Sequence, residues 1–135
     1  MKIVAASGYF NPLHKGHIEY LQKASDLGDY LVVIVNSDYQ RALKGSKEFM
    51  DEDERMIIVD SLRFVNKTVL SIDKDGTVCE TLRKIRPHIF AKGGDRFASE
   101  IPEAKVCQEL GIEMVDGLGN KIQSSSWLLG DKENK

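Results

Sequence analysis

Proline, cysteine and tryptophan are scarce in this chain: three, two and one respectively in 135 residues. Cys79 and Cys107 are isolated, each in a helix-like pattern, with neither the paired spacing of a metal site nor the density of a disulfide framework. They read as reduced, packed thiols of a cytoplasmic protein. No apolar run approaches the ~20 residues needed to span a bilayer, and Met1 leads straight into an apolar segment. Neither a membrane partner nor a leading signal segment is therefore expected. The formal net charge is only -2, which argues against a general nucleic-acid or membrane-surface binder. What is present is ordinary for a soluble globular protein, with 41% hydrophobic and 30% charged residues. The length suits one domain over residues 1–135 with one core, and the charged tail from about residue 130 is expected to be disordered.

Strand and helix patterns alternate along the chain. Lys2–Ala6 and the apolar run Tyr30–Asn36 read as buried strands. His17–Leu27 reads as a helix closed by Gly28, and Ser37–Met50 as a polar loop. Asp51 looks like the cap of a helix carrying Met56, Ile57, Val59 and Leu62. Lys67–Ile72 is strand-like, Asp75-Gly76 a turn, and Val78–Ile85 a helix stopped by Pro87. His88–Lys92 is a short strand, Glu103–Leu110 a helix closed by Gly111, Ile112–Val115 a last strand and Ser124–Leu129 a short final helix. This order predicts an α/β fold with a parallel five-stranded sheet and helices on both faces. Ligands of such sheets lie at the carboxyl ends of the strands.

The segment that carries most information follows the first strand: Gly8-Tyr9-Phe10-Asn11-Pro12-Leu13-His14-Lys15-Gly16-His17. Two imidazoles three residues apart sit where a strand hands over to a helix N-terminus. Unpaired N–H groups and a partial positive charge there make a site for phosphate. Gly8 allows close approach of the backbone, and Gly16 leaves room beside His17. The pattern G-x-F-[DN]-x-x-H-x-G-H resembles the signature of the HxGH nucleotidyltransferase superfamily, whose sheet is Rossmann-like.

Further polar segments fall at the same edge: Asn36-Ser37-Asp38, Arg41-Ala42-Leu43-Lys44-Gly45, Asp53-Glu54-Arg55-Met56, Lys92-Gly93-Gly94-Asp95-Arg96 and Ile122-Gln123-Ser124-Ser125-Ser126. Each has a plain structural explanation when taken alone. Lys44 can be a solvated lysine, Arg55 a partner of Asp51 or Glu52 at helical spacing, and the serines a redundant helix cap. In this order, however, they resemble the adenylyltransferase half of the bifunctional heptose kinase/adenylyltransferases, and somewhat less glycerol-3-phosphate cytidylyltransferase. The resemblance covers nearly the whole chain.

The resemblance implies transfer of a nucleoside monophosphate from a nucleoside triphosphate, with its Mg²⁺, to a phosphorylated small molecule, releasing pyrophosphate. His14, His17 and Lys44 would be catalytic. Gly8, Tyr9, Phe10, Asn11, Gly16, Lys92, Gly94, Asp95, Ser124, Ser125 and Ser126 would bind the nucleotide. Asp38, Arg55 and Arg96 would meet the acceptor, and the metal would be held through phosphates rather than by protein ligands. The resemblance also implies a homodimer. Three residues depart from the pattern: Asn11 stands where these families usually have Asp, Ile122 where a glycine opens the last motif, and Trp127 where a small or polar residue is usual. The cytidine-associated Arg-x-x-Gly is missing, which turns the expectation toward ATP and a heptose-like sugar phosphate. Flavin adenylyltransferase, glycerol-3-phosphate cytidylyltransferase and a nucleotide-binding module without turnover are the alternatives.

The chemistry fits the residues. A phosphomonoester has its second pKa near ~6, so it is already a dianionic nucleophile at neutral pH. No general base is required, and positioning and charge stabilisation supply the acceleration.

Overall fold

The computed structural model describes residues 1–93 and 102–115. Its elements in chain order are β1 (Ile3–Gly8), α1 (Lys15–Ser25), β2 (Tyr30–Val35), α2 (Asp38–Lys44), α3 (Glu52–Asp60), β3 (Lys67–Leu70), α4 (Cys79–Ile85), β4 (Ile89–Ala91), α5 (Pro102–Leu110) and β5 (Glu113–Val115). The strands form one sheet in the order β3-β2-β1-β4-β5, and every neighbouring pair is parallel. The expected five-stranded Rossmann-like sheet is the one observed.

Successive strand side chains point to opposite faces, and this alternation builds two cores. Val4 and Ala6 of β1, Leu31, Val33 and Val35 of β2, and Ile89 and Ala91 of β4 pack with Tyr20, Leu21 and Ala24 of α1 and Val59 of α3. Ala5, Ile34 and Phe90 pack instead with Leu82 of α4 and Val106 and Cys107 of α5. A sheet covered on both sides explains why its strands read as continuous apolar runs. Both cysteines are free thiols. Burial pushes Cys107 up to about 11 and raises Cys79, so both stay protonated as packed groups. No helix among the described residues is long and apolar enough to cross a membrane.

The chain builds outward from β1 to β2 and β3, then returns to the other side of β1 for β4 and β5. The connections therefore diverge above the carboxyl ends of β1 and β4, leaving a crevice at the reversal. The turn Gly8–His14 lies there.

Two expectations about local structure change. The stretch expected as a polar loop from Ser37 to Met50 contains a helix, α2. Ser37 and Gln40 form a capping box at its start, and Gly45 ends it at φ +81. Sequence periodicity misses α2 because its inward anchor is polar. Gln40 is fully buried; its Nε2 donates to the carbonyls of Asp75 and Thr77 at 2.7 and 2.8 Å. Its Oε1 accepts from Asn36 Nδ2 and the Ser37 amide, both at 3.0 Å.

The second change concerns α1, which starts two residues earlier than expected because His14 is its cap. Gly28 does not close it; the helix ends at Asp26 with right-handed geometry. A side chain at Gly28 would put Cβ 2.7 Å from the Lys2 carbonyl oxygen and 2.8 Å from Val4 Cγ2. That glycine lets the chain pass close to β1. The expected cap of α3 is present, with Asp51 accepting from the Glu54 amide at 2.8 Å.

Candidate active site

The turn after β1 is assembled from the inside out. Phe10 adopts φ 53, a conformation few non-glycine residues take, and its ring is almost wholly buried. A Cβ on Gly8 would lie 2.7 Å from that ring. Gly8 is thus required because the Phe10 side chain folds back over it. The edge of Phe10 in turn meets the His17 ring, with centroids 5.1 Å apart and planes at 79°. His17 stacks on His14 at 3.8 Å. Glycine, phenylalanine and the two histidines form one continuous stack.

Hydrogen bonds orient both imidazoles. The Gly16 amide donates to His14 Nδ1 at 3.1 Å, and the His14 amide donates to His17 Nδ1 at 3.2 Å. Each Nδ1 must keep its lone pair to accept, so the proton of each neutral ring sits on Nε2. This capping box differs from the usual one in using two histidines. Two Nε2–H donors are left over at the start of α1, beside the positive end of its dipole. Gly16 contributes its amide to this arrangement.

Burial, reinforced by the neighbouring His14 ring, lowers His17 from 6.5 to about 4. His17 is therefore a neutral hydrogen-bond donor at physiological pH.

The rings open into a cavity of about 410 Å³ lined by Tyr9, Phe10, Asn11, Pro12, His14, His17, Lys44, Ser46, Lys47 and Phe49. Among the described residues no carboxylate is in that lining, while two lysines are. The lysine arm is fastened by Asn11. Its Nδ2 donates to the Lys47 carbonyl at 2.7 Å, and its Oδ1 accepts from the amides of Phe49 and Met50 at 3.0 and 3.2 Å. One amide group both donates and accepts here, which a carboxylate cannot do. Asn11 thus has a structural reason to differ from Asp. Ser46, Lys47 and Phe49 were not among the expected site residues; a second lysine three residues after Lys44 was the available signal.

A second cavity, of about 220 Å³, lies on the other side of Tyr9 and is lined by Ser7, Gly8, Asn36, Thr77, Phe90, Lys92 and Glu103 among others. Tyr9 belongs to both walls. Gly8 and Lys92 are placed here, while Gly94, Asp95, Arg96, Ser124, Ser125, Ser126, Ile122 and Trp127 lie outside the described residues.

Arg55 and Asp38 require a correction. Arg55 was expected to meet the acceptor, yet it is fully buried. Its Nε donates to the Met50 carbonyl at 3.1 Å, and its Nη1 to the carbonyls of Tyr9 and Asn36 at 2.8 and 2.7 Å. Its Nη2 donates to Asp38 Oδ1 at 2.7 Å. The other Asp38 oxygen accepts from the Glu52 amide at 3.1 Å. Both side chains hold the loops together; Arg55 has no exposed surface to offer an acceptor, while the Asp38 carboxylate stays partly exposed. The partners expected for Arg55 by helical spacing, Asp51 and Glu52, are not the ones it takes.

Comparison with known proteins places the chain. A family model described as cytidylyltransferase-like matches residues 5–126. This chain belongs to the cytidylyltransferase-like family. Membership makes it a nucleotidyltransferase, as the first-loop motif leads one to expect. An FAD synthase from Picrophilus torridus is 34% identical over 130 residues, covering 93% of this chain and 91% of that protein. The bifunctional protein HldE of Pelobacter propionicus is 40% identical over 131 residues, covering 96% of this chain. The chain spans 25% of the length of that bifunctional relative. A solved structure of a lipopolysaccharide core biosynthesis protein from Thermoplasma volcanium superimposes with a TM-score of 0.74 at 30% identity, covering 86% of this chain and 95% of that one.

Two outcomes follow from the family site's geometry. In ¹⁵N NMR of the ligand-free protein, His17 should titrate near 4 with the Nε2–H tautomer above that point. Between about 4 and 6.5 the unfolded chain then binds more protons at this residue than the folded one. Its contribution to stability is full above 6.5 and is lost as pH falls through that window. A midpoint above 6 would contradict the buried stack. Arg55→Lys keeps the charge but not the fork, and should cost about 3 kcal/mol in urea unfolding without any ligand, the scale of a broken buried pair. An unchanged midpoint would return Arg55 to the acceptor.

Proposed function

We propose that this chain transfers a nucleoside monophosphate, by preference AMP, from a nucleoside triphosphate to a phosphorylated small molecule, a heptose-like sugar phosphate, and releases pyrophosphate. The observation that carries the reading is a cavity lined by His14, His17, Lys44 and Lys47 and, among the described residues, by no carboxylate, with each imidazole held so that Nε2 carries its proton. A triphosphate brings several negative charges, and every described group in that wall is neutral or positive. The acceptor's phosphate dianion attacks the α-phosphorus while pyrophosphate departs on the far side. His14 and His17 donate to the α-phosphate oxygens as charge spreads over them, and Lys44 meets the departing phosphates. These donors are preoriented by their Nδ1 bonds, so they need little reorganisation during the step.

Magnesium and a homodimer belong to the same reading. A triphosphate carries magnesium on its own oxygens, and the described lining offers no carboxylate to compete for it. Among the described residues, no group of three or more His, Cys, Asp or Glu side chains could hold a metal. The metal's contribution would be to neutralise the phosphate charge.

The second cavity supports a sugar phosphate as acceptor. Ser7, Asn36, Thr77 and Glu103 offer hydrogen-bond partners for hydroxyls, and Lys92 can meet an anion. A flavin phosphate is the second reading, favoured by the end-to-end match with the FAD synthase of P. torridus. Both acceptors present a phosphomonoester, so the first cavity would do the same work for either.

Pyrophosphate release should be measured with ATP, CTP, GTP and UTP against a panel of heptose and hexose phosphates, glycerol 3-phosphate and riboflavin 5′-phosphate. ATP with a sugar phosphate should turn over best. Best turnover with riboflavin 5′-phosphate would move the acceptor to the flavin, and best turnover with CTP and glycerol 3-phosphate to the cytidylyl reading. Nucleotide binding without pyrophosphate from any pair would make the protein a binding module. With the active pair, His17→Ala should lower kcat about 10²–10³-fold with a smaller change in KM. A folded variant with unchanged kcat would remove His17 from the chemistry.

A further inference from the structure

The geometry points to Tyr9 as a positioning residue that holds Lys44 over the phosphate cavity before any ligand arrives, an inference that rests on the reading of that cavity as a triphosphate site. Lys44 is the last residue of α2 and is exposed. A lysine at such a position samples many rotamers, and ordering it on binding subtracts from affinity. Here its ammonium sits 4.1 Å from the centroid of the Tyr9 ring. Among the described residues no carboxylate pairs with it. The acidic side chains nearby are taken by Arg41, which meets Asp38 and Glu48, and by Arg55, which meets Asp38.

The difference between a ring and a carboxylate matters for function. A carboxylate partner would cancel the lysine's charge and would itself repel a triphosphate. A ring face attracts the ammonium through its quadrupole yet leaves the net charge available to an anion. Burial raises the Tyr9 hydroxyl above its usual range, against a smaller opposing effect of Arg55. The ring is therefore a neutral phenol at working pH and adds no charge of its own.

The ring is also anchored. The Tyr9 carbonyl accepts from Arg55 Nη1 at 2.8 Å, and the residue contributes to both cavity walls. A buried cation thus fixes the backbone of the residue whose face holds the mobile cation.

The test uses the full chain, inorganic tripolyphosphate as probe, and two readouts. In NMR, the ε-methylene protons of Lys44 should be shifted upfield by the ring current. The shift should survive in Tyr9→Phe and vanish in Tyr9→Leu. In calorimetry, Tyr9→Leu should weaken tripolyphosphate binding roughly two- to fivefold, the scale of an exposed cation–π contact. Tyr9→Phe should bind within twofold of the original chain. In a Lys44→Met background, Tyr9→Leu should have no further effect, because its influence passes through the lysine.

An equal loss in both backgrounds would mean general damage to the cavity and would overturn the inference. So would the absence of a ring-current shift, or of tripolyphosphate binding by the unmodified chain. If these outcomes are met but no nucleotide and acceptor release pyrophosphate, the catalytic reading fails while the role of Tyr9 stands.

Discussion

The buried guanidinium of Arg55 is the interaction on which the site depends. Four oxygens from four places in the chain converge on it: the Tyr9 carbonyl beyond β1, the Asn36 carbonyl beyond β2, the Asp38 carboxylate at the start of α2 and the Met50 carbonyl before α3. Each lies at the carboxyl edge of the sheet, where loops leave in different directions and have little apolar surface to bury. A cation there does what an apolar core cannot. It satisfies three backbone carbonyls that would otherwise lack partners and binds the loops to one point. Its charge is balanced by Asp38, whose side chain still reaches solvent, so the pair escapes part of the desolvation cost of a fully buried one.

Everything that handles phosphate hangs from this frame. Tyr9 leads into Phe10, whose ring supports the histidine stack, and Asp38 opens the helix that ends at Lys44. Asn11 then ties the chain after Lys44 back to the turn with three hydrogen bonds. The histidines at the start of α1 and the lysine at the end of α2 line one cavity, and both supports trace to the same guanidinium. The stack also has a cost, since a neutral His17 contributes less to stability as the solution is acidified. Such a trade suits a group that must donate from Nε2 with its other nitrogen already occupied.

The fold was legible from sequence because its signals are apolar and periodic. Buried parallel strands give unbroken runs such as Leu31-Val32-Val33-Ile34-Val35, and the order of strands and helices limits the topology to a few choices. The histidines were legible because their motif is a local turn. What escaped notice is polar and long-range. Gln40 anchors α2 through carbonyls 35 and 37 residues away, so α2 has no apolar stripe to announce it. Arg55 looked like a surface or ligand-binding arginine because its partners, 5 to 46 residues distant, are mostly backbone oxygens with no side-chain signature. Gly8 was read correctly as a close-approach position, but the approaching group is the chain's own phenylalanine ring.

Tyr9 divides the crevice into two cavities whose walls are held in different ways. In the proposed reading a triphosphate would meet groups from the first turn and the lysine arm, which are locked to each other by Asn11 and Arg55. Changing any of them disturbs several hydrogen bonds at once. The second cavity is walled by residues from separate elements and connections, with Ser7 near the end of β1, Asn36 after β2, Thr77 before α4 and Glu103 on α5. Ser7 and Lys92 in particular carry side chains that the Arg55 frame does not use, so such positions can change singly without loosening the phosphate grip. Under the proposed reading, this separation would let one way of holding a phosphate persist while the walls that choose an acceptor vary independently.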